Sequence, residues 1–146
     1  MRTGTVSGSP TRPGTQRCLA EAHEGWTPRD AREHAATDRA TAAIQLNLGR
    51  FDIAESFAAS AVRTYEEAHG RGRISAKLLL AEVHVRAGES RGLLLARQAI
   101  EAVSTLQSVA IRQQRLVPLI TALEARPGNE AKEIARIAHQ VAATRV

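Results

Sequence analysis

Apolar side chains recur every three or four positions along most of the chain, a spacing typical of helices that bury one face. In the stretch IQLNLGRFDIAESFAASAVRTYEEAH, residues 44–69, Ile53, Phe57, Ala61 and Tyr65 follow one another at intervals of four. The whole sequence holds two Phe, one Tyr and one Trp, so Ala, Leu, Val and Ile must build the core. Such small aliphatic residues suit packed helices better than a β-sandwich. We therefore predict an all-α fold.

The first predicted helix begins in the stretch WTPRD. Thr27 is a suitable N-cap, Pro28 fits the first helical position, and Asp30 favours the positive end of the helix. Trp26, just before the cap, is placed to fold over Ala31 as a hydrophobic staple. The order of these residues predicts a sharply defined helix start.

Glycine and aspartate mark the next predicted boundaries. Gly49 ends the first helix near Leu48, because glycine leaves a helix easily. Asp52 is predicted to cap the second helix, with Glu55 completing a capping box. The run GRGR at 70–73 is predicted to be the turn that ends the second helix and precedes the third.

Three further helices are predicted in the second half of the chain. The fourth, from about Arg91 to Ser104, is apolar over much of its circumference, which predicts a place near the middle of the structure. Pro118 interrupts the fifth segment and either kinks a long helix or starts a shorter one. The last helix presents an apolar face that includes Ile134 and Val141.

These elements repeat. Six helices joined by short turns form three predicted antiparallel hairpins, and their inter-helix glycines, Gly49, Gly88 and Gly128, are 39 and 40 residues apart. In the second helix of each hairpin a small residue precedes an apolar one by four positions, as Ala61 precedes Tyr65. Such a period is typical of proteins built from stacked helix pairs.

The first hairpin resembles the tetratricopeptide repeat family. The residues at that family's Leu-Gly, Ala, Phe and Ala signature positions are Leu48, Gly49, Ala61, Tyr65 and Ala68. The later hairpins keep fewer of these positions, namely Ala87, Gly88, Ala99, Gly128 and Ala138. The period is longer than the family's repeat of about 34 residues. The resemblance covers residues 28–143 and implies three hairpins stacked as a tetratricopeptide-like α-solenoid.

Tetratricopeptide proteins commonly bind peptides in a concave groove lined by the first helix of each hairpin, and the resemblance implies such a groove here. The candidate partner-binding residues that it implies are Asn47, Arg50, Glu82, Arg86 and Glu89. The Lys and Asn pattern of members that clamp a C-terminal carboxylate is absent, so no such clamp is expected. The N-terminal tail, a second copy of the chain or an amphipathic partner helix could each cover this groove.

A second resemblance bears on regulation. The stretch LLLAEVHVRAGESRGLLLARQAIEAV resembles the helical-repeat half of actinobacterial regulators that carry a helix-turn-helix DNA-binding domain at the other end. It implies a sensing or interaction half with a role in transcription or signalling. Residues 1–25 bury too little apolar surface to fold, so we expect a disordered or loosely attached tail before one domain at 26–146.

The charge of the chain and its lack of catalytic or metal-binding motifs reduce the number of functions to consider. The tail contributes Arg2, Arg12 and Arg17, and the remaining chain has 17 basic against 15 acidic side chains, so a phosphate-binding surface is not expected. No HExxH motif, cysteine pair or nucleophile elbow is present, so we predict no metal, no cofactor and no enzymatic activity. The single cysteine, Cys18, fits a reducing cytoplasm.

No apolar stretch approaches the roughly 20 residues of a membrane span. The prediction is therefore a cytoplasmic module that binds a protein or peptide partner. Two alternatives stay open. The first is a homodimeric structural module, and the second is nucleic-acid binding by the Arg-rich tail together with Arg71 and Arg73.

Overall fold

A computed structural model describes Gly25 and residues 27–65, 70–106 and 108–144, apart from the side chain of Val109. The chain divides into two units, Met1–Ala31 and Arg32–Val146, and the boundary falls inside the first helix. The predicted tail (except Gly25), the Trp26 staple, Cys18 and the signature residue Ala68 lie outside the described residues.

The described part of the chain contains helices joined by turns and no strand, so the all-α prediction is confirmed. The elements are α1 (Pro28–Asn47), α2 (Phe51–Thr64), α3 (Gly70–Arg86), α4 (Arg91–Ser104), α5 (Val109–Ile111), a π-helix (Arg112–Leu116), α6 (Val117–Ala125) and α7 (Asn129–Ala143). Because α5, the π-helix and α6 are continuous, these elements form six helical stretches, as predicted. None of the described helices has the length and apolar character to cross a membrane.

The start of α1 is capped from both sides. The main-chain N–H of Asp30 donates to Oγ1 of Thr27 at 3.1 Å, and the main-chain N–H of Thr27 donates to Oδ2 of Asp30 at 3.1 Å. This reciprocal pair is a capping box with Asp in place of the usual Glu. Thr27 is therefore confirmed as the N-cap, with Pro28 as the first helical residue.

The turns after α1 and α3 have the same hydrogen bonds. After α1, the N–H of Gly49 donates to the carbonyl of Leu46 at 2.9 Å, and that of Arg50 donates to the carbonyl of Gln45 at 2.9 Å. After α3, the same bonds join Gly88 to Val85 and Glu89 to His84, both at 3.1 Å. The φ angles of the two glycines are 76° and 80°, so both turns are Schellman motifs.

The third inter-helix turn has a different geometry. Arg126, after α6, is extended with ψ 135°, and Gly128, before α7, has φ 111° and ψ 153°. The three regularly spaced glycines therefore mark two Schellman turns and one turn of another kind. The third hairpin, which keeps the fewest signature residues of the repeat, is thus also the one whose turn differs from the other two.

The prediction that Asp52 caps α2 is wrong. Arg50 occupies the N-cap position with φ −93° and ψ 76°, and Asp52 lies inside the first turn. The N–H of Arg50 closes the Schellman turn, while its carbonyl accepts the first helical bond from Ala54 at 2.9 Å. One residue thus ends one helix and begins the next, which leaves no cap position for Asp52.

The prediction of a turn at 70–73 is also wrong. Helix α2 ends at Thr64, and Gly70 is already the first residue of α3. A Cβ on Gly72 would lie 2.4 Å from Cε1 of Tyr65, whose side chain is buried. Glycine is therefore required at this position by close contact with a ring, and not by a turn.

Pro118 lies within a continuous helical stretch. The π-helix Arg112–Leu116 comes directly before α6, and Leu116 and Val117 have helical φ angles of −72° and −61°. Proline has no N–H and its ring collides with the carbonyl one turn earlier in an α-helix. The wider π-helical turn relieves that collision, so the helix continues and Pro118 lies in the first turn of α6.

The core has three clusters, and α3 contributes to all of them. The largest joins α3, α4, the π-helix, α6 and α7, and its buried residues include Leu78, Ala99, Leu116, Leu123 and Ile134. The other two join α1, α2 and α3 and include Ala35, Ala42, Leu46, Ala58, Ala61, Tyr65 and Leu79. The central helix is thus α3, and the prediction of that place for α4 is wrong, because the buried core residues of α4 belong to the largest cluster alone.

Candidate functional site

A groove of about 620 Å³ lies beside α3 and α6. We call it the α3–α6 groove, and its lining is Phe51, Glu82, Val85, Arg86, Gly88, Pro118, Thr121, Ala122, Ala125, Arg126 and Pro127. Apolar side chains dominate this lining, and charged ones come from only three of the residues. A concave, mostly apolar surface with few polar groups is the usual character of a binding site.

Helical spacing brings these residues to one surface. Glu82 and Arg86 are one turn apart on α3, so their side chains lie on the same face, with Val85 beside them. On α6, Pro118 and Ala122 are likewise one turn apart and face the same groove. Both helices pack against each other, so the two faces meet along one line.

Glu82 is the acidic residue of this groove, and its side chain is buried. Burial raises the pKa of its carboxyl above the ordinary value, because the charged form loses its hydration. The positive charges of Arg86 and Arg115 offset part of this increase. Nη1 of Arg86 lies 3.5 Å from Oε2 of Glu82.

Arg115, in the π-helix, interacts electrostatically with the same carboxylate. Burial lowers the pKa of its guanidinium, repulsion from Arg39 lowers it further, and attraction to Glu82 raises it in part. The guanidinium of Arg39 in turn lies 6.0 Å from the centre of the Tyr65 ring, within the range of a cation–π contact. Residues from α1, α3 and the π-helix thus form one electrostatic cluster.

Arg126, the residue that follows α6, is part of the groove lining and is held by a hydrogen bond. Its Nη1 donates to the main-chain carbonyl of Glu89 at 2.7 Å. This bond joins the end of α6 to the turn between α3 and α4. A guanidinium has five N–H groups, so this bond leaves others for a ligand.

The structure places two of the five predicted partner-binding residues, Glu82 and Arg86, in the α3–α6 groove. Arg50 lines a separate depression of about 370 Å³ at the start of α2. Asn47 is exposed in the last turn of α1. Glu89 contacts His84 through its side chain and Arg126 through its carbonyl.

His84 links two carboxylates. Its Nδ1 contacts Oε1 of Glu89, and its Nε2 lies 3.9 Å from Oε2 of Glu55 on α2. The His84 side chain is buried, so the imidazole joins α2, α3 and the following turn. The exposed carboxylate of Glu89 thus has a structural partner inside its own hairpin.

Sequence reasoning missed the α6 side of the groove, including Arg126, and it missed Arg115, which interacts with Glu82. These residues are Pro118, Thr121, Ala122, Ala125, Arg126 and Arg115. Helical spacing across 115–126 could have grouped several of them on one face, but Pro118 left the course of that segment open. No signal in the sequence pairs this face with Glu82 across the groove.

Asp38 forms a second polar cluster, on α1. Its buried carboxylate accepts a hydrogen bond from Oγ of Ser60 at 2.8 Å, and Nε2 of His34 lies 3.3 Å from the same Oδ2. The carboxylate thus accepts the hydrogen bond of the serine hydroxyl directly, which differs from a catalytic triad, where histidine accepts it. Within the described ranges, no group of three His, Cys, Asp or Glu residues could hold a metal ion.

Comparison with known proteins gives no relative. No family model, no curated protein and no solved structure matches the chain.

Proposed function

We propose that the chain is a non-enzymatic, tetratricopeptide-like module of the cytoplasm that binds a peptide segment of another protein. The observation that carries this proposal is the α3–α6 groove, with its apolar floor and three charged residues. Apolar contacts supply affinity in such a groove, while a few polar groups fix the orientation of the ligand.

The order of helix contacts supports the stack of hairpins on which the proposal depends. α3 packs on α4, and α6 packs on α7, which are the helix pairs of two predicted hairpins. α3 also packs on α6, and α4 on α7, so first helices meet first helices and second helices meet second helices. That order is expected when hairpins stack side by side.

The alanine positions of the repeat support the same arrangement. Ala61 and Ala99 are buried, as are Tyr65 and Val103 four positions later. A small residue lets neighbouring helices approach, and the larger one fills the adjacent space. Under this arrangement the α3–α6 groove lies between the first helices of the second and third hairpins. The proposed regulatory role comes from the resemblance to helix-turn-helix regulators.

A selection from a library of short random peptides tests the proposal. Enriched peptides are measured by fluorescence anisotropy against the wild type, Ala125→Trp and Ala143→Trp. Both alanines are exposed, but only Ala125 lines the groove. We expect Ala125→Trp to raise the Kd about tenfold or more, equal to about 1.4 kcal/mol, and Ala143→Trp to leave it unchanged.

Two outcomes contradict the proposal. One is that no peptide is enriched on the wild-type protein. The other is that the enriched peptides bind both tryptophan variants as tightly as the wild type.

A further inference from the structure

The α3–α6 groove and its edge carry more positive than negative charge. The lining contains Arg86 and Arg126 against one carboxylate, that of Glu82. Arg115 in the π-helix interacts electrostatically with Glu82 and with Arg39 on α1, so two further positive charges lie within electrostatic reach of this carboxylate or of its neighbours. The carboxylate of Glu82 therefore interacts with two guanidinium groups, those of Arg86 and Arg115.

Arg115 is a half-buried cation that interacts with one opposite and one like charge. The carboxylate of Glu82 attracts it and the guanidinium of Arg39 repels it, and Arg86 lies 3.5 Å from the same carboxylate. Burial of a cation beside a like charge is unfavourable, because both the loss of hydration and the repulsion oppose ionisation. A carboxylate from a ligand near Arg115 would be attracted to its guanidinium and would offset the repulsion from Arg39.

We propose that the partner of this groove is an acidic amphipathic peptide segment. Its apolar side chains would lie on the apolar floor, and its carboxylates would pair with Arg86, Arg115 and Arg126. Arginine suits this role because its planar fork binds carboxylates with two parallel hydrogen bonds. The inference rests on the proposed peptide-binding function and adds the chemical class of the peptide.

Charge repulsion makes the N-terminal tail and a second copy of the chain less suitable occupants of the groove. The N-terminal tail carries Arg2, Arg12 and Arg17 and no acidic residue before Glu21, so it would bring cations to cations. A second copy docked through the same groove would face its own arginines, because a two-fold contact places identical patches opposite each other. An acidic partner segment avoids both repulsions.

The charge of the peptides selected from the random library is the first measurement. Three designed peptides follow, with the same leucine positions and with Glu, Gln or Lys between them, measured by fluorescence anisotropy. We expect selected peptides to be acidic and the Glu peptide to bind tightest. Its affinity should fall as ionic strength rises from about 0.01 to 0.1 M, where the screening length shortens from about 30 to 10 Å.

Arginine variants locate the interaction. Arg86→Gln and Arg115→Gln should each weaken the Glu peptide about tenfold, the size expected for one charge-assisted hydrogen bond. Arg86→Lys, which keeps the charge, should lose less. Arg97→Gln is the control, since Arg97 is half exposed on α4 and outside the groove lining. Circular dichroism verifies that each variant is folded.

The outcomes separate the two proposals. Selected peptides that are neutral or basic overturn the acidic class and leave the peptide-binding function standing. An equal loss of affinity in Arg97→Gln and Arg86→Gln also overturns it, because only net charge would then matter. A library without any enriched peptide contradicts the peptide-binding function itself.

Discussion

A Cβ on Gly92 would lie 2.7 Å from the main-chain nitrogen of Val85, so α4 meets α3 at a point where only glycine fits. The next nearest atom is the carbonyl carbon of His84, at 2.8 Å. Both atoms belong to the backbone of α3, which a new side chain cannot push aside without moving the helix. Val85 lines the α3–α6 groove, so this contact also fixes part of the site.

Gly92→Ala should therefore destabilise the protein. Alanine favours a helix over glycine by about 1 kcal/mol, but overpacking against a helix backbone costs about 1–3 kcal/mol, so we expect a net loss in the free energy of unfolding. Urea denaturation measures it. Gly70→Ala is the matched control, because a Cβ there meets nothing within 4 Å, and it should be neutral or stabilising. Equal effects of the two substitutions would show that α4 can shift away freely.

Gly72 and Tyr65 provide a second close contact, which can be tested by a double-mutant cycle. Gly72→Ala places a methyl group against the ring and should lower the free energy of unfolding by about 1–3 kcal/mol. In a Tyr65→Leu background the same substitution should cost less, because leucine lacks the Cε1 and Cζ atoms that lie 2.4 and 2.6 Å from the new Cβ. Additive effects in the cycle would contradict a direct clash.

Local signals account for the helix boundaries that the sequence predicted. Thr27 and Pro28 define a helix start through capping alone, and Gly49 and Gly88 define helix ends through their positive φ. Gly72 misled the prediction because its role is a contact with Tyr65, the residue that follows the end of α2. Contacts of this kind leave no local mark that separates them from a turn.

Part of the candidate site, like part of the fold, could be predicted from the sequence. Glu82 and Arg86 could be placed in a groove because the repeat positions of α3 follow the resemblance. Arg115 and Arg126 could not, since the third hairpin keeps little of the pattern and its last turn has another geometry. Arg115 lies in the π-helix before Pro118, and no local pattern in the sequence predicts a π-helix there.

Arg112 joins the end of α7 to the chain that follows α4. Its Nη1 donates to the carbonyl of Thr144 at 2.6 Å and its Nη2 to the carbonyl of Leu106 at 3.0 Å. Lysine keeps the charge but lacks the fork, so Arg112→Lys should lower the free energy of unfolding by about 1.5–3 kcal/mol in urea denaturation.

Arg97→Lys serves as the control for this substitution. The Arg97 side chain is 51% exposed, and its distance to Glu130 is 4.0 Å. An exposed pair of this kind contributes little, so we expect a change below about 0.5 kcal/mol. Equal stability of the Arg112 and Arg97 variants would show that a single ammonium contact replaces the fork.

Glu82 makes stability depend on pH in a direction opposite to that of most carboxylates. Burial, partly offset by Arg86 and Arg115, raises the pKa of its carboxyl above the ordinary 4.5. The folded state then holds this proton more tightly than the unfolded chain does. The free energy of unfolding that Glu82 contributes must therefore fall as the pH rises from 4.5 to the raised pKa.

Glu82→Gln removes this titration. We expect the difference in unfolding free energy, wild type minus variant, to be most favourable to the wild type at low pH and to decline as the pH rises through that window. Urea denaturation at a series of pH values measures it. In the control Glu133→Gln the slope should be reversed and small, because the hydrogen bond from Arg136 lowers the pKa of this exposed carboxyl. A difference for Glu82→Gln that stays constant, or grows with pH, would show that the arginines outweigh burial at this site.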